Sequence, residues 1–176
     1  MIRKKLIVLG LALFLIFASV QSAQAQEYGT IQATATVIAG VAVIGEHDLI
    51  FGTVLPDFDK TVDKADIGFA GEWSVQGENG AEITVDVTLP NNLMHQDSVA
   101  TMPISFNNTD LAYDDGTGGG QAAPVAEINP NGPNTLNLGA TGQMSLWIGG
   151  TTHPGITQTG GDYAADITLT VQYTGN

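Results

Sequence analysis

Hydrophobic and polar positions alternate along much of this chain, most regularly near its end. From Tyr163 to Tyr173 every odd position is apolar, while Asp166, Thr168, Thr170 and Gln172 fill even positions. Successive side chains of a strand point to opposite faces. The run therefore predicts a half-buried strand, with Ile167, Leu169 and Val171 toward a core and Asp166, Thr168 and Thr170 toward water. Residues 81–89 repeat the pattern, with Ile83, Val85, Val87 and Leu89 set against Glu82, Thr84, Asp86 and Thr88. Shorter alternations run through Met102, Ile104 and Phe106 and through Met144, Leu146 and Ile148.

Toward the start, Ile31, Ala33, Ala35 and Val37 alternate with Gln32, Thr34 and Thr36, and the chain then stays apolar to Ile44. This predicts strand structure over 31–44, with Gly40 as a bulge or break. Residues 49–55 predict a short strand that Pro56 stops. Residues 57–66 hold Asp57, Asp59, Asp63 and Asp66 with Lys60 and Lys64, and read as a loop. Ile67, Phe69, Trp73 and Val75 share one parity and are expected to face inward. Asn79-Gly80 is a strong hairpin signal. Residues 107–123 are polar and glycine-rich, which predicts a mobile surface loop. Short strands are expected at 125–128 and around Leu136 and Leu138. Past the leader no segment keeps a helical period, and turn signals separate the strand-like runs. The expectation is an all-β antiparallel sandwich of about seven to nine strands.

The leader is Met1-Ile2-Arg3-Lys4-Lys5, an apolar run over 6–18 and the small-x-small triplet Ala23-Gln24-Ala25. A basic start, a short apolar core and such a triplet make a secretory signal peptide over 1–25, with one sandwich domain over 26–176. The apolar run is short for a bilayer span, so no membrane insertion is expected after cleavage. The product is expected in the periplasm, on the cell surface or outside the cell. Cleavage after Ala25 leaves Lys60 and Lys64 against 18 acids, a formal charge of −16. Nucleic acids and anionic lipid attract basic patches, so neither is an expected partner. The chain has no cysteine, so an exported fold must rest on its core without disulfides.

Candidate chemistry is sparse. There is no Gly-x-Ser-x-Gly elbow and no His-Glu-x-x-His motif, and His47, His95 and His153 are far apart in sequence. Met94-His95-Gln96-Asp97-Ser98 gathers His, Asp and Ser locally, but triads converge in space rather than in sequence. The expectation is a protein that is not an enzyme and needs no cofactor. Asp57 with Asp59, and Asp114 with Asp115, are weak calcium candidates, because calcium takes carboxylate oxygens, although neither group has EF-hand spacing. Trp73 shares the inward parity. Trp147 lies opposite Met144, Leu146 and Ile148 in parity, and is expected at the surface as a contact for a partner or sugar.

Three segments taken together resemble a known family: Ala33-Thr34-Ala35-Thr36-Val37 followed by Leu49-Ile50-Phe51-Gly52-Thr53-Val54, then Leu146-Trp147-Ile148-Gly149-Gly150, then Gly161-Asp162-Tyr163 leading into Thr168-Leu169-Thr170-Val171-Gln172-Tyr173. Their order resembles the secreted bacterial family called domain of unknown function 4402. More distantly it resembles the spore-coat-U-like and archaic chaperone–usher pilins. Those pilins usually carry a cysteine pair near the start of the domain, which this chain lacks, so the first family is the nearer likeness. The resemblance implies an immunoglobulin-like sandwich at the cell surface, structural or adhesive, with other copies of itself or related surface subunits as partners. In such pilins a neighbour's N-terminal segment completes the sheet. Ile31, Ala33, Ala35 and Val37 have the pattern of that segment, and equally that of a first strand paired within its own domain. The alternative function is a monomeric extracellular module that binds carbohydrate or calcium.

Overall fold

The structure, a computed structural model, describes residues 30–35, 37 and 39–175. Residues 1–25, the predicted leader, lie outside the described residues, as do Thr36 and Ile38 of the first predicted strand. The chain divides into two units, Met1–Thr36 and Val37–Asn176. Residues 30–35 of the first unit are exposed and carry no strand.

The second unit is all β. Its strands, in chain order, are β1 (Ala42–His47), β2 (Lys60–Val62), β3 (Gly71–Gln76), β4 (Glu82–Thr88), β5 (Asn92–His95), β6 (Thr101–Ser105), β7 (Leu111–Asp114), β8 (Ala126–Ile128), β9 (Asn134–Asn137), β10 (Gln143–Ile148), β11 (Gly150–Thr152), β12 (Tyr163–Ala164) and β13 (Thr168–Tyr173). Three antiparallel sheets result, ordered β1-β3-β10-β7-β8, β13-β4-β9 and β12-β5-β6-β11-β2. The first two enclose the main core. Val75, Leu111, Met144, Leu146 and Ile148 from one sheet pack in a single cluster with Ile83, Val85, Val87, Leu136 and Leu169 from the other. Full burial of such a side chain stabilises the fold by about 1.5–3 kcal/mol.

The alternations predicted at the two long runs are present. In β4, Ile83, Val85 and Val87 are buried while Asp86 and Thr88 are exposed. At the end of the chain Leu169 is buried, Ile167 and Val171 pack against the core, and Asp166, Thr168 and Thr170 are exposed. The closing run does not, however, form one strand. Tyr163–Ala164 pairs with β5, and only Thr168–Tyr173 pairs with β4, so the run passes between two sheets.

Other predicted runs are also divided or moved, which gives thirteen short strands among the described residues rather than seven to nine. The first strand begins at Ala42, not near Ile31. Residues 49–55 form no strand, and Gly52 there has φ 65°. The acidic loop instead contributes β2. Ile67 and Phe69 lie in a turn and are exposed, so only Trp73 and Val75 follow the inward parity. The Asn79-Gly80 turn forms but makes no hairpin, because β3 and β4 belong to different sheets. The turn carries the chain across the sandwich. The glycine-rich region contains β7 and a 3-10 turn, Gly120–Ala122. Gly149 lies between the end of β10 and the start of β11, where the chain passes into another sheet. A side chain there would collide with the Val62 carbonyl and the Lys64 amide.

At one side of the sandwich lie β1 and β13, an edge strand from each sheet. The half-buried Tyr173 ties them together. Its hydroxyl donates to the Ala39 carbonyl at 2.8 Å and accepts the Glu78 N–H at 2.7 Å.

Candidate functional site

A wide concavity opens between residues 45–56, which run on from the end of β1, and residues 158–168, which lead into β13. It is a cleft of about 1420 Å³. Apolar side chains of the strands floor it, chiefly Trp73, Leu93, Met102, Ile104 and Ile148. It exists because the 49–55 segment has strand-like composition but no sheet partner on the cleft side. The Ile50 N–H, bonded to the Phe69 carbonyl at 2.7 Å, anchors its start. Ile50, Leu55 and Phe69 remain exposed around it. Among the described residues β1 pairs only with β3 and β13 only with β4, so both edge strands keep an unpaired side. An unpaired edge beside an apolar cleft is a template for another strand.

The two walls differ in construction. Near the β1 wall, Ser74 Oγ donates to Glu46 at 2.6 Å, and His47 Nε2 lies 3.6 Å from Glu72. The opposite wall is tethered to β5 by His95, which is 6% exposed. His95 Nδ1 lies 2.8 Å from Asp97 Oδ1, and Nε2 lies 3.2 Å from the Gly160 carbonyl. Its ring centroid is 5.0 Å from that of Tyr163. Gln158 donates to the Tyr163 hydroxyl at 2.6 Å and to the Thr101 carbonyl at 3.1 Å, and Tyr163 donates to the Thr159 carbonyl at 2.7 Å. The Asp97 carboxyl is held below its usual range by the Val99 N–H first and by its bond with His95 second. Glu46, Asp48, Asp162 and Asp166 line the cleft, and no lysine or arginine does.

The sequence candidates fall in different places. Ile31, Ala33, Ala35 and Val37 are exposed and outside any strand, with Ile31 at 99%. Trp147, expected at the surface, is 5% exposed and is not available as a contact. It sits in a central strand between Glu72 of β3 and Ala112 of β7, where both sheet faces are covered. Trp73, by contrast, packs against the core and also reaches the cleft.

Asp57 is exposed at φ 65°, and Asp59 pairs with His153 at 2.9 Å. Asp114 is buried, and its oxygens accept amide hydrogens from Gly116 at 2.7 Å, Gly118 at 3.1 Å and Gly120 at 2.5 Å. Asp115 accepts the Thr117 amide and hydroxyl. No cluster of three or more His, Cys, Asp or Glu able to hold a metal occurs among the described residues. The local His95-Asp97-Ser98 group is held by hydrogen bonds. Both imidazole nitrogens are taken up by Asp97 and Gly160, and Ser98 contributes a backbone N–H to the His95 carbonyl.

Sequence reasoning missed the cleft floor and the His95 tether. Met102 and Ile104 were legible as inward positions, but nothing local indicated that their sheet would stand open beside residues 158–168. Among the described residues no helix is long and apolar enough to cross a membrane. The chain matches no protein-family model and no curated protein.

Proposed function

We propose that the chain is an exported surface protein of the immunoglobulin-like kind, structural or adhesive, that assembles with copies of itself or related subunits by strand exchange. The N-terminal segment, with Ile31, Ala33, Ala35 and Val37 on one face, enters the cleft of a neighbour and pairs with an unpaired edge. The observation that carries this reading is the apolar cleft lying beside two edge strands, β1 and β13, each paired on one side only. Alternate side chains of an added strand give specificity and its backbone gives affinity. The four carboxylates along the walls disfavour anionic occupants, whereas residues 28–38 carry no charge. The resemblance to the domain of unknown function 4402 family and to archaic pilins agrees with this reading.

The test uses the mature chain, 26–176, and a chain begun at residue 39. A synthetic peptide of residues 28–38 is added to the shorter chain, and melting temperature and tryptophan emission are followed. The expected result is that the longer chain self-associates, the shorter one stays monomeric, and the peptide raises its melting temperature and shifts the emission of Trp73. If both chains are monomeric, melt alike and ignore the peptide, strand exchange is wrong.

A further inference from the structure

Beyond that assembly role, we propose that Ser105, His153 and Asp59 form a nucleophile relay on the outer face of the β6–β11–β2 sheet, able to take an acyl group from a small ester. The strand register builds it. Thr151 of β11 lies directly opposite Ser105 of β6 on one side and Thr61 of β2 on the other, so these three hydroxyls share one face. One residue beyond the last paired positions, Thr152 and Lys60, stand His153 and Asp59, whose side chains meet. The diagonal contact between the rows places Ser105 Oγ 2.8 Å from His153 Nε2, and His153 Nδ1 lies 2.9 Å from Asp59 Oδ2.

The atoms are connected in the order that nucleophilic catalysis needs. An ionised carboxylate only accepts, so Asp59 places the imidazole hydrogen on Nδ1. Nε2 is then left with its lone pair toward the Ser105 hydroxyl. Ser105 is exposed, so an ester reaches it from solvent. Beside it, the Thr61 and Thr151 hydroxyls are 2.8 Å apart. One of them donates to the other, and the second hydrogen is free to meet a developing oxyanion. Phe58 and Ile156, both exposed, flank Asp59 and His153 in the chain and offer apolar shoulders for an acyl group. The Asp57 amide bond to the Pro154 carbonyl, 3.2 Å, holds those two segments together. Ser105 stands within a strand and not on a sharp turn, so side-chain hydroxyls take the place of backbone amides. That restricts the reaction to esters with good leaving groups.

In the first step Ser105 Oγ bonds to the carbonyl carbon while His153 Nε2 takes the hydroxyl proton. The bond to the leaving oxygen then breaks, and that oxygen receives the proton from Nε2 and departs as the alcohol. Water repeats the sequence on the acyl-serine, with His153 again holding the proton, and releases the carboxylic acid and free Ser105.

The experiment treats the mature chain with p-nitrophenyl acetate and, separately, with a fluorophosphonate. It follows nitrophenolate release and maps the adduct by peptide mass analysis. The expected result is modification at Ser105 that Ser105→Ala abolishes. His153→Gln is expected to slow acylation by about 100-fold, within the range that general-base assistance supplies. Thr151→Val slows it less. Circular dichroism and melting curves are used to check that each variant keeps its fold, Ser105 being exposed and Thr151 and His153 half-buried. Release equal to that of the Ser105→Ala chain, or an adduct mapped elsewhere, overturns the proposal.

Discussion

In the loop after β7, three glycine amides point at one carboxylate. Burial pushes the Asp114 carboxyl up, and the amide bonds from Gly120, Gly116 and Gly118 outweigh it and hold the group below its usual range. A carboxylate with a lowered native value contributes stability that is complete above its unfolded value, about 3.9 for aspartate, and is lost as pH falls through the native value. Asp114→Ala is therefore expected to cost about 2–3 kcal/mol near neutral pH, measured by urea unfolding. The stability gap between the native chain and Asp114→Asn should shrink below about pH 4. A gap that stays constant across that range would show that the charge of Asp114 does not organise the loop. In the core, Ile83 is fully buried, so Ile83→Ala should cost about 2–5 kcal/mol. Ile167→Asp, placed against that core, should prevent cooperative unfolding altogether. At this scale the sequence was informative where parity alone decides, as at Ile83, Val85, Leu169 and Thr170. It misled at Trp147, because parity assigns a side chain to a face and says nothing about whether that face is covered. The ordered loop at Asp114 was hidden as well, since a glycine-rich stretch reads the same with or without a buried carboxylate to gather its amides.

The elements show a different kind of gap between pattern and structure. Residues 49–55 have the composition of a strand, yet a strand needs a partner at the right height, and the Ile50 N–H at its start bonds to a turn, at the Phe69 carbonyl. Asn79-Gly80 makes its turn, but the choice between hairpin and crossover is made by contacts more than fifty residues away, in β9, β10 and β13. The cleft follows from both facts, and so it was not visible before the sheets were assembled. Its far wall depends on His95. Gly161 there has φ 143°, and any side chain would run into the imidazole. His95→Ala should accelerate amide hydrogen exchange across residues 158–164 by about tenfold or more, corresponding to the loss of about 1.4 kcal/mol of local stability. Exchange in β4 should be unchanged. Equal protection of the wall in the two proteins would assign it to the Gln158 and Tyr163 contacts instead.

For the whole molecule, charge and cross-linking set the conditions of stability. The chain carries 18 acids and no cysteine. Lys64 is spent inside the fold. Its amine is 2.9 Å from Glu127 and its side chain is 13% exposed. Burial lowers the Lys64 pKa, but the bond to Glu127 and the nearby charges of Asp63, Glu127 and Asp110 raise it further than burial lowers it. Repulsion among the remaining carboxylates is long-ranged and screened by salt, with a Debye length of about 10 Å at 0.1 M. Melting temperature should therefore rise between low salt and about 0.5 M sodium chloride, and a reducing agent should leave it unchanged. A fall in melting temperature with salt would mean that attractive pairs such as Lys64–Glu127 outweigh the repulsion.

The phenol of Tyr173 has a mechanical meaning. A subunit held in a filament through its leading segment would feel tension first at Ala39, just ahead of β1. If only β1 met that tension, the strand would be peeled from β3 one bond at a time, the weakest way to resist a pull. In such a filament Tyr173, bonded to Ala39 and Glu78, would hand part of the load to β13 and to the turn that joins the two sheets. Both layers would then share the strain, and rupture would require them to slide together. Tyr173→Phe would leave the core filled and remove the coupling, so its signature belongs in the force at which single molecules give way rather than in a melting curve.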